Sequence, residues 1–282
     1  MQQLQFPDFD EQLPILNQFI LGLVDAYQSG RLNSWDKLDE KVKAFFTPER
    51  MEQTETLVLG WKKMASYSGG ITLTHVMCVF LGVYMMPEFQ ELTPEGQQIA
   101  KWIVLFHDLD KFHIHGKKDT MHAFNSGALT AKLLPKFGFP ITGKYHELID
   151  SWSKLTTHAF VASGDDSAPK PDNQKLPEIL AGIDELFGKD TPAALITKVA
   201  LLHISLNIDL FYPTPAPLTE DEVKHFITPN LFPLLKVMML GDNEGWTLFY
   251  PEDRQRQSEC AVIAFQGFEK IIGLTPNNME SS

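Results

Sequence analysis

An all-α fold is predicted by three features of the sequence. Apolar residues recur at three- and four-residue spacing in one segment after another, the period of a helix with one buried face. Three Thr-Pro pairs, Thr47-Pro48, Thr93-Pro94 and Thr191-Pro192, stand ahead of such segments. A threonine can cap the first turn, and a proline at the first helical position lacks the N–H that would otherwise go unpaired. No stretch alternates polar and apolar residues strongly enough to predict a sheet.

In chain order, residues 1–12 are polar and acidic and read as irregular. Residues 13–27 form an amphipathic helix stopped by Gly30, and residues 35–46 form a shorter one. Thr47-Pro48 opens a helix reaching about Met64, with Ser68-Gly69-Gly70 as the break. These residues, 1–70, carry no evident chemistry and read as an N-terminal helical addition. An apolar helix with His75 near its start follows and runs to Pro87. Thr93 opens the next, in which Ile99, Trp102, Ile103 and Phe106 share a face.

A polar loop after Lys111 leads to a helix from His122 to about Phe137, and residues 145–161 predict another, with His158 near its end. Residues 163–177 make a long polar loop of the kind that serves as a lid. Residues 176–187 and 191–211 predict two further helices. Prolines break the chain at 212–217, and Thr219-Glu220-Asp221-Glu222 reads as a capping box. Residues 231–240 are apolar, 241–250 read as irregular, and 251–273 predict a last helix with Ala261, Ile263, Phe265, Phe268, Ile271 and Ile272 inward. Three regions result: the addition at 1–70, a core at 71–215, and a C-terminal addition at 216–282 packed on that core.

Composition narrows the function. The formal charge of −12 opposes a nucleic-acid surface, which needs Lys and Arg to displace counterions. Arg31, Arg50, Arg254 and Arg256 are the only arginines, so no arginine fork serves phosphate in the central region. Cys78 and Cys260 make neither a metal-ligand spacing nor a disulfide framework, which suits a reducing cytoplasm. No apolar run is long enough to span a bilayer, and the first residues lack the layout of a signal peptide. The expectation is a cytoplasmic protein with neither nucleic-acid nor membrane partners.

The chemistry concentrates at Leu105-Phe106-His107-Asp108-Leu109-Asp110-Lys111, where an apolar helix ends in an imidazole and a carboxylate. Asp108 among apolar neighbours calls for a cation partner. Adjacent side chains cannot point the same way from a helix, so this pair belongs at a distorted helix end. His75 lies on an earlier apolar helix, and Asp209 at the end of the apolar segment 191–211. This constellation, together with the stretch from His122 to Leu134, resembles the HD-domain superfamily across about residues 70–215. Asp110 departs from the glycine usual there and adds a second carboxylate.

The resemblance implies an HD-type helical core in which His75, His107, Asp108 and Asp209 hold one metal ion. Members that bind two ions add histidines from later helices, with the His-Asp carboxylate bridging, and His122 and His158 fall in those places. Asp184 is the rival to Asp209, passed over because its helix is less thoroughly apolar. His113, His115, His146, His203 and His225 read as surface or core residues, though His113 and His115 could touch a substrate. Imidazole and carboxylate ligands suit a divalent transition metal (Fe, Mn, Co, Ni or Zn), as one or two ions.

The implied activity is metal-dependent hydrolysis of a small phosphoester, such as a nucleotide. Asp108 and Lys111 are the catalytic residues, Lys111 steadying the charge on the phosphoryl group. Lys117 and Lys118 could assist, and a solvated loop explains them equally well. Two other readings stay open: an HD-fold diiron oxygenase of small organic substrates, and a catalytically silent metal- or ligand-binding sensor.

Overall fold

The computed structural model describes residues 6–111, 117–142, 160–162, 172–209 and 214–274. The fold is all-α, as expected, with helices α1 (Phe9–Gln12), α2 (Pro14–Gln28), α3 (Trp35–Phe45), α4 (Pro48–Leu57), α5 (Trp61–Ser66), α6 (Ile71–Met85), α7 (Pro87–Gln90) and α8 (Pro94–Phe106). Helices α9 (His122–Leu133), α10 (Leu176–Phe187), α11 (Pro192–Leu202), α12 (Glu220–Phe226), α13 (Phe232–Thr247) and α14 (Pro251–Ile271) complete it. One feature was not anticipated. Strands β1 (Lys117–Asp119) and β2 (Phe160–Ala162) form a short antiparallel ladder, with Asp119 opposite Phe160. Phe160 and Val161 are therefore extended where the end of a helix was expected.

The start signals act as read. Thr47, Thr93 and Thr191 each accept a backbone N–H from three residues on, and each is followed by proline at the helix start. Thr219 and Glu222 form the reciprocal capping box of α12. Asp8 caps a first turn at α1 within the segment expected to be irregular, and the Phe9 ring packs edge-on against Trp102. Gly60, with φ of +98°, splits the helix expected from Thr47 to Met64 into α4 and α5.

One continuous apolar core runs from Phe9 to Phe265. Helix α6 is buried from Thr72 to Val83 and α11 from Ala193 to Leu202. A helix buried on all sides must be central, and these two are. Helix α13 packs along α6, α9 packs along α11, and α8 contacts both α11 and α13. The α6–α13 approach is close because glycines line it. A Cβ on Gly245 would lie 2.5 Å from His75 Cε1, and one on Gly241 would lie 2.5 Å from Val83. On α14, Ala261 and Phe265 are buried as expected, whereas Ile263 is 72% exposed and faces outward.

Two helix ends differ from expectation in a way that shapes the site. Helix α11 stops at Leu202 rather than reaching residue 211, with His203 at its C-cap. Residues 241–247 are helical rather than irregular, as the last turns of α13. Among the described residues no helix is long and apolar enough to cross a membrane.

Candidate metal centre

Helix α8 delivers His107 as its C-cap, and the chain continues in turns through Asp108 to Lys111. The turn aims both side chains inward, and both are fully buried. The His107 Nδ1–H donates to the Val104 carbonyl at 2.9 Å, which leaves Nε2 as the free lone pair. The same device appears twice more. His203, at the end of α11, donates from Nδ1 to the Ala200 carbonyl at 2.8 Å. His122, at the start of α9, donates from Nδ1 to the Asp119 carbonyl at 2.6 Å. In each case a carbonyl three residues earlier fixes the tautomer, as backbone acceptors do for metal-binding histidines.

Asp108 lies at the centre of these rings. Its Oδ2 is 3.5 Å from the Nε2 of both His75 and His107. Its Oδ1 is 3.5 Å from His122 Nε2 and 3.6 Å from His203 Nε2. Asp242, from α13, faces the first pair, with Oδ1 2.9 Å from His75 Nε2 and 3.8 Å from His107 Nε2. Two groups capable of holding an ion result: His75, His107, Asp108 and Asp242 on one side, and Asp108, His122 and His203 on the other. Asp108 belongs to both.

The separations suit shared ions better than hydrogen bonds. At 3.5 Å a nitrogen–oxygen pair is too long for a good hydrogen bond. Two ligands each ~2.1 Å from one ion, at tetrahedral to octahedral angles, lie about 3.0–3.4 Å apart. Moreover, the Nε2 atoms of His107, His122 and His203 and Oδ1 of Asp108 are buried with no hydrogen-bond partner among the described residues. Buried polar atoms are ordinarily paired, so three such atoms in the second group and His107 Nε2 in the first fit cations.

The electrostatics agree. Burial pushes the His107 imidazole down to about 4, against the upward pull of Asp108. Burial and then the Lys111 ammonium bring His122 down to about 3. Both rings are therefore neutral at physiological pH, the form that binds metal. Burial alone would raise Asp108, but Lys111 and His107 outweigh it and hold the carboxyl well below its usual range. Asp242 is likewise held low, because its hydrogen bond to His75 overcomes burial. Lys111 donates to Asp108 Oδ2 at 2.7 Å and is held above its usual range by that carboxylate, despite the opposing effect of burial.

His75 is held differently. Its Nδ1 has no partner among the described residues, and the ring is clamped by stacking on Trp246, with centroids 4.2 Å apart, and by the bare backbone of Gly245. Trp246 also lies parallel to Trp35 at 5.8 Å, and Lys111 Nζ stands 5.9 Å from its centroid. On this side the cluster reaches solvent: the side chains of Asp242 and Lys111 are 20% and 18% exposed, whereas those of His75, His107, His203 and Asp108 are fully enclosed.

Of the residues expected to bind metal, His75, His107, Asp108 and His122 converge, with Lys111 beside them. Asp209 is buried but stands in neither group; the fourth position of the first group is taken by Asp242. The reason is the end of α11. With the helix closed at Leu202, Asp209 lies seven residues beyond its end, and the helix presents His203 instead. Asp184 does not enter either; it pairs with Lys198 at 2.6 Å. His158 lies outside the described residues, as do His113, His115 and His146. Asp110 turns away from the cluster to pair with Lys63 at 3.1 Å.

His203 and Asp242 are the residues that sequence reasoning missed. A signal for His203 was present: Leu201-Leu202-His203 closes a Thr-Pro-started apolar helix just as Leu105-Phe106-His107 does. For Asp242 the one hint was Gly241 and Gly245 at four-residue spacing after an apolar run, which fits a close helix contact as well as a loop. Comparison of the chain with family models, with curated proteins and with solved structures found no match.

Proposed function

We propose that the chain is a phosphohydrolase dependent on two divalent metal ions, with an HD-type arrangement of ligands, acting on a small phosphoester. The observation that carries this reading is the Asp108 carboxylate, with one oxygen facing His75 and His107 and the other facing His122 and His203, their Nε2 atoms, save that of His75, without hydrogen-bond partners among the described residues. His75, His107, Asp108 and Asp242 would hold one ion, and Asp108, His122 and His203 the other. Bound there, such ions would supply Lewis acidity toward a phosphoryl oxygen and a water activated for attack near neutral pH.

Charge supports an anionic substrate. The two carboxylates and one ammonium of the cluster sum to one net negative charge. Two divalent cations would make it strongly positive within a chain of net charge −12. The substrate would then be drawn to the centre rather than to the surface. Lys111 is a compact cation at the open side, suited to bind a phosphoryl oxygen as a point charge and to stabilise negative charge gathering there. Asp108 fixes Lys111 through its 2.7 Å contact, so the same carboxylate orders both the ligands and the ammonium.

The test is phosphate release from small phosphomonoesters by protein reconstituted with manganese, iron or zinc, in wild type and Lys111→Ala. The expected result is turnover that requires metal and falls about a hundredfold in the variant, on the scale of a lost electrostatic donor, while the metal content stays near wild type. Oxygen uptake on an organic substrate without phosphate release would move the chain to the oxygenase class. Metal binding with neither activity would leave a sensor.

A further inference from the structure

Trp246 is unusual among the tryptophans of the described residues. Trp61 and Trp102 are fully enclosed in the core, whereas Trp246 is 38% exposed although it lies one helical turn from the ligand Asp242. One contact of its ring is structural, the stack on His75. A second indole, partly exposed Trp35 at the start of α3, lies nearly parallel to it, with 12° between planes. Trp35 is brought there by the docking of α3 on α6, where Thr74, the residue before His75, donates its hydroxyl to Asp39 at 2.7 Å. Sequence reasoning gave neither tryptophan a role, and metal binding requires only the face of Trp246 that covers His75.

We propose that Trp35 and Trp246 form an aromatic platform that selects a substrate carrying a planar ring next to its phosphoryl group. The inference rests on the phosphoester reading and names the part of the substrate that reading leaves unspecified. Two things sit side by side at the open side of the cluster: an ammonium able to bind the phosphoryl group, and indole surface a few ångströms away. A ring on the ester's alcohol would lie within reach of the indoles while the phosphoryl group lies at Lys111. Aromatic pairs gain affinity beyond the area they bury, and exposed indole surface is a sound place to gain it. A ringless ester would forgo that contact. Trp35 and Trp246 are positioning and specificity residues; neither touches the reacting atoms.

The proposal is tested with phenylphosphonate and methylphosphonate, two non-hydrolysable anions that differ in the ring. Binding of each to manganese-loaded protein is measured by calorimetry, in wild type, Trp35→Leu and Trp35→Phe. Trp35 is the informative position because its ring stacks on Trp246, one step removed from His75, and manganese content is measured in every sample. The expected result is about tenfold tighter binding of the phenyl compound by wild type, a preference reduced to about twofold or less in Trp35→Leu and restored in Trp35→Phe. Equal affinities in wild type, a preference undiminished in Trp35→Leu, or no binding of either compound would overturn the proposal. Ring preference without phosphate release in the turnover assay would remove hydrolysis and leave this recognition standing.

Discussion

The two sides of the cluster are built by different means. On the His122–His203 side, each imidazole is locked by a carbonyl three residues earlier in its own segment. Orientation there is a local property of a helix end. On the His75–Asp242 side, no backbone acceptor fixes His75; its ring is held by Trp246, by Gly245 and by the carboxylate of a helix 167 residues away in sequence. His107 on this side is locked by Val104 as the other two are, but the orientation of His75 and Asp242 is tertiary and depends on how closely α13 approaches α6. The first side is enclosed; the second is where Asp242, Lys111 and Trp246 meet solvent. A locally fixed, buried half and a half assembled by packing at the open edge should respond differently to mutation.

Asp108→Ala should have the largest effect because Asp108 belongs to both halves. It should abolish activity and drop metal content toward zero by elemental analysis, with both ions lost together. It also removes the partner of Lys111. Breaking a buried pair from one side costs about 3–5 kcal/mol, so the unfolding midpoint of the metal-free protein should fall as well.

His203→Ala should separate the halves. Metal content should fall from two ions per chain to one, because His75, His107 and Asp242 are untouched. Asp209→Asn, in contrast, should keep two. A loss of metal in the asparagine variant equal to that in the alanine variant would show that the loop after α11 reaches the centre.

Gly245→Ala probes the tertiary half. The added Cβ would lie 2.5 Å from His75 Cε1 and from Val79 Cγ2, so α13 must shift outward. Overpacking of this kind costs about 1–3 kcal/mol, and the ion held by His75 and Asp242 should be weakened selectively. Gly22→Ala on α2, where nothing lies within 4 Å, is the control and should stabilise by about 0.5–1 kcal/mol.

Acid should erode both halves gradually. Folding lowers His107 to about 4 and His122 to about 3, so below the unfolded value of about 6.5 the unfolded chain takes up protons first. Stability of the metal-free protein should therefore be fully present above pH ~6.5 and decline as pH falls toward 4. Denaturant unfolding at several pH values checks the sign; stability rising on acidification through this window would contradict neutral buried imidazoles.

The same contrast explains what could be read from the sequence. The helices announced by Thr-Pro starts and apolar periodicity, and the His107–Asp108 corner, were visible because local chemistry produces them; His75, His122 and Lys111 were joined to that corner by the resemblance to the HD-domain superfamily. Asp242 was not, because glycine at 241 and 245 reads as a helix breaker until the partner surface of α6 is known. His203 was obscured by a helix end: the apolar residues Ile204, Leu206 and Ile208 continue past Leu202 and mimic further helix, although the backbone turns there. Asp209 looked suited to a ligand because a buried acid needs a partner, but that need does not say which partner. Pattern finds the ligands that helices present locally; packing decides those that arrive from elsewhere.

The central claim is that Asp108 bridges two ions, and anomalous diffraction from crystals of manganese-loaded protein tests it most directly. Two peaks are expected roughly 3.5–4 Å apart, one on each side of the Asp108 carboxylate. One should be ligated by His75, His107 and Asp242, the other by His122 and His203. A single peak bound to one Asp108 oxygen, or a peak ligated by Asp209 with Asp242 turned away, would contradict it.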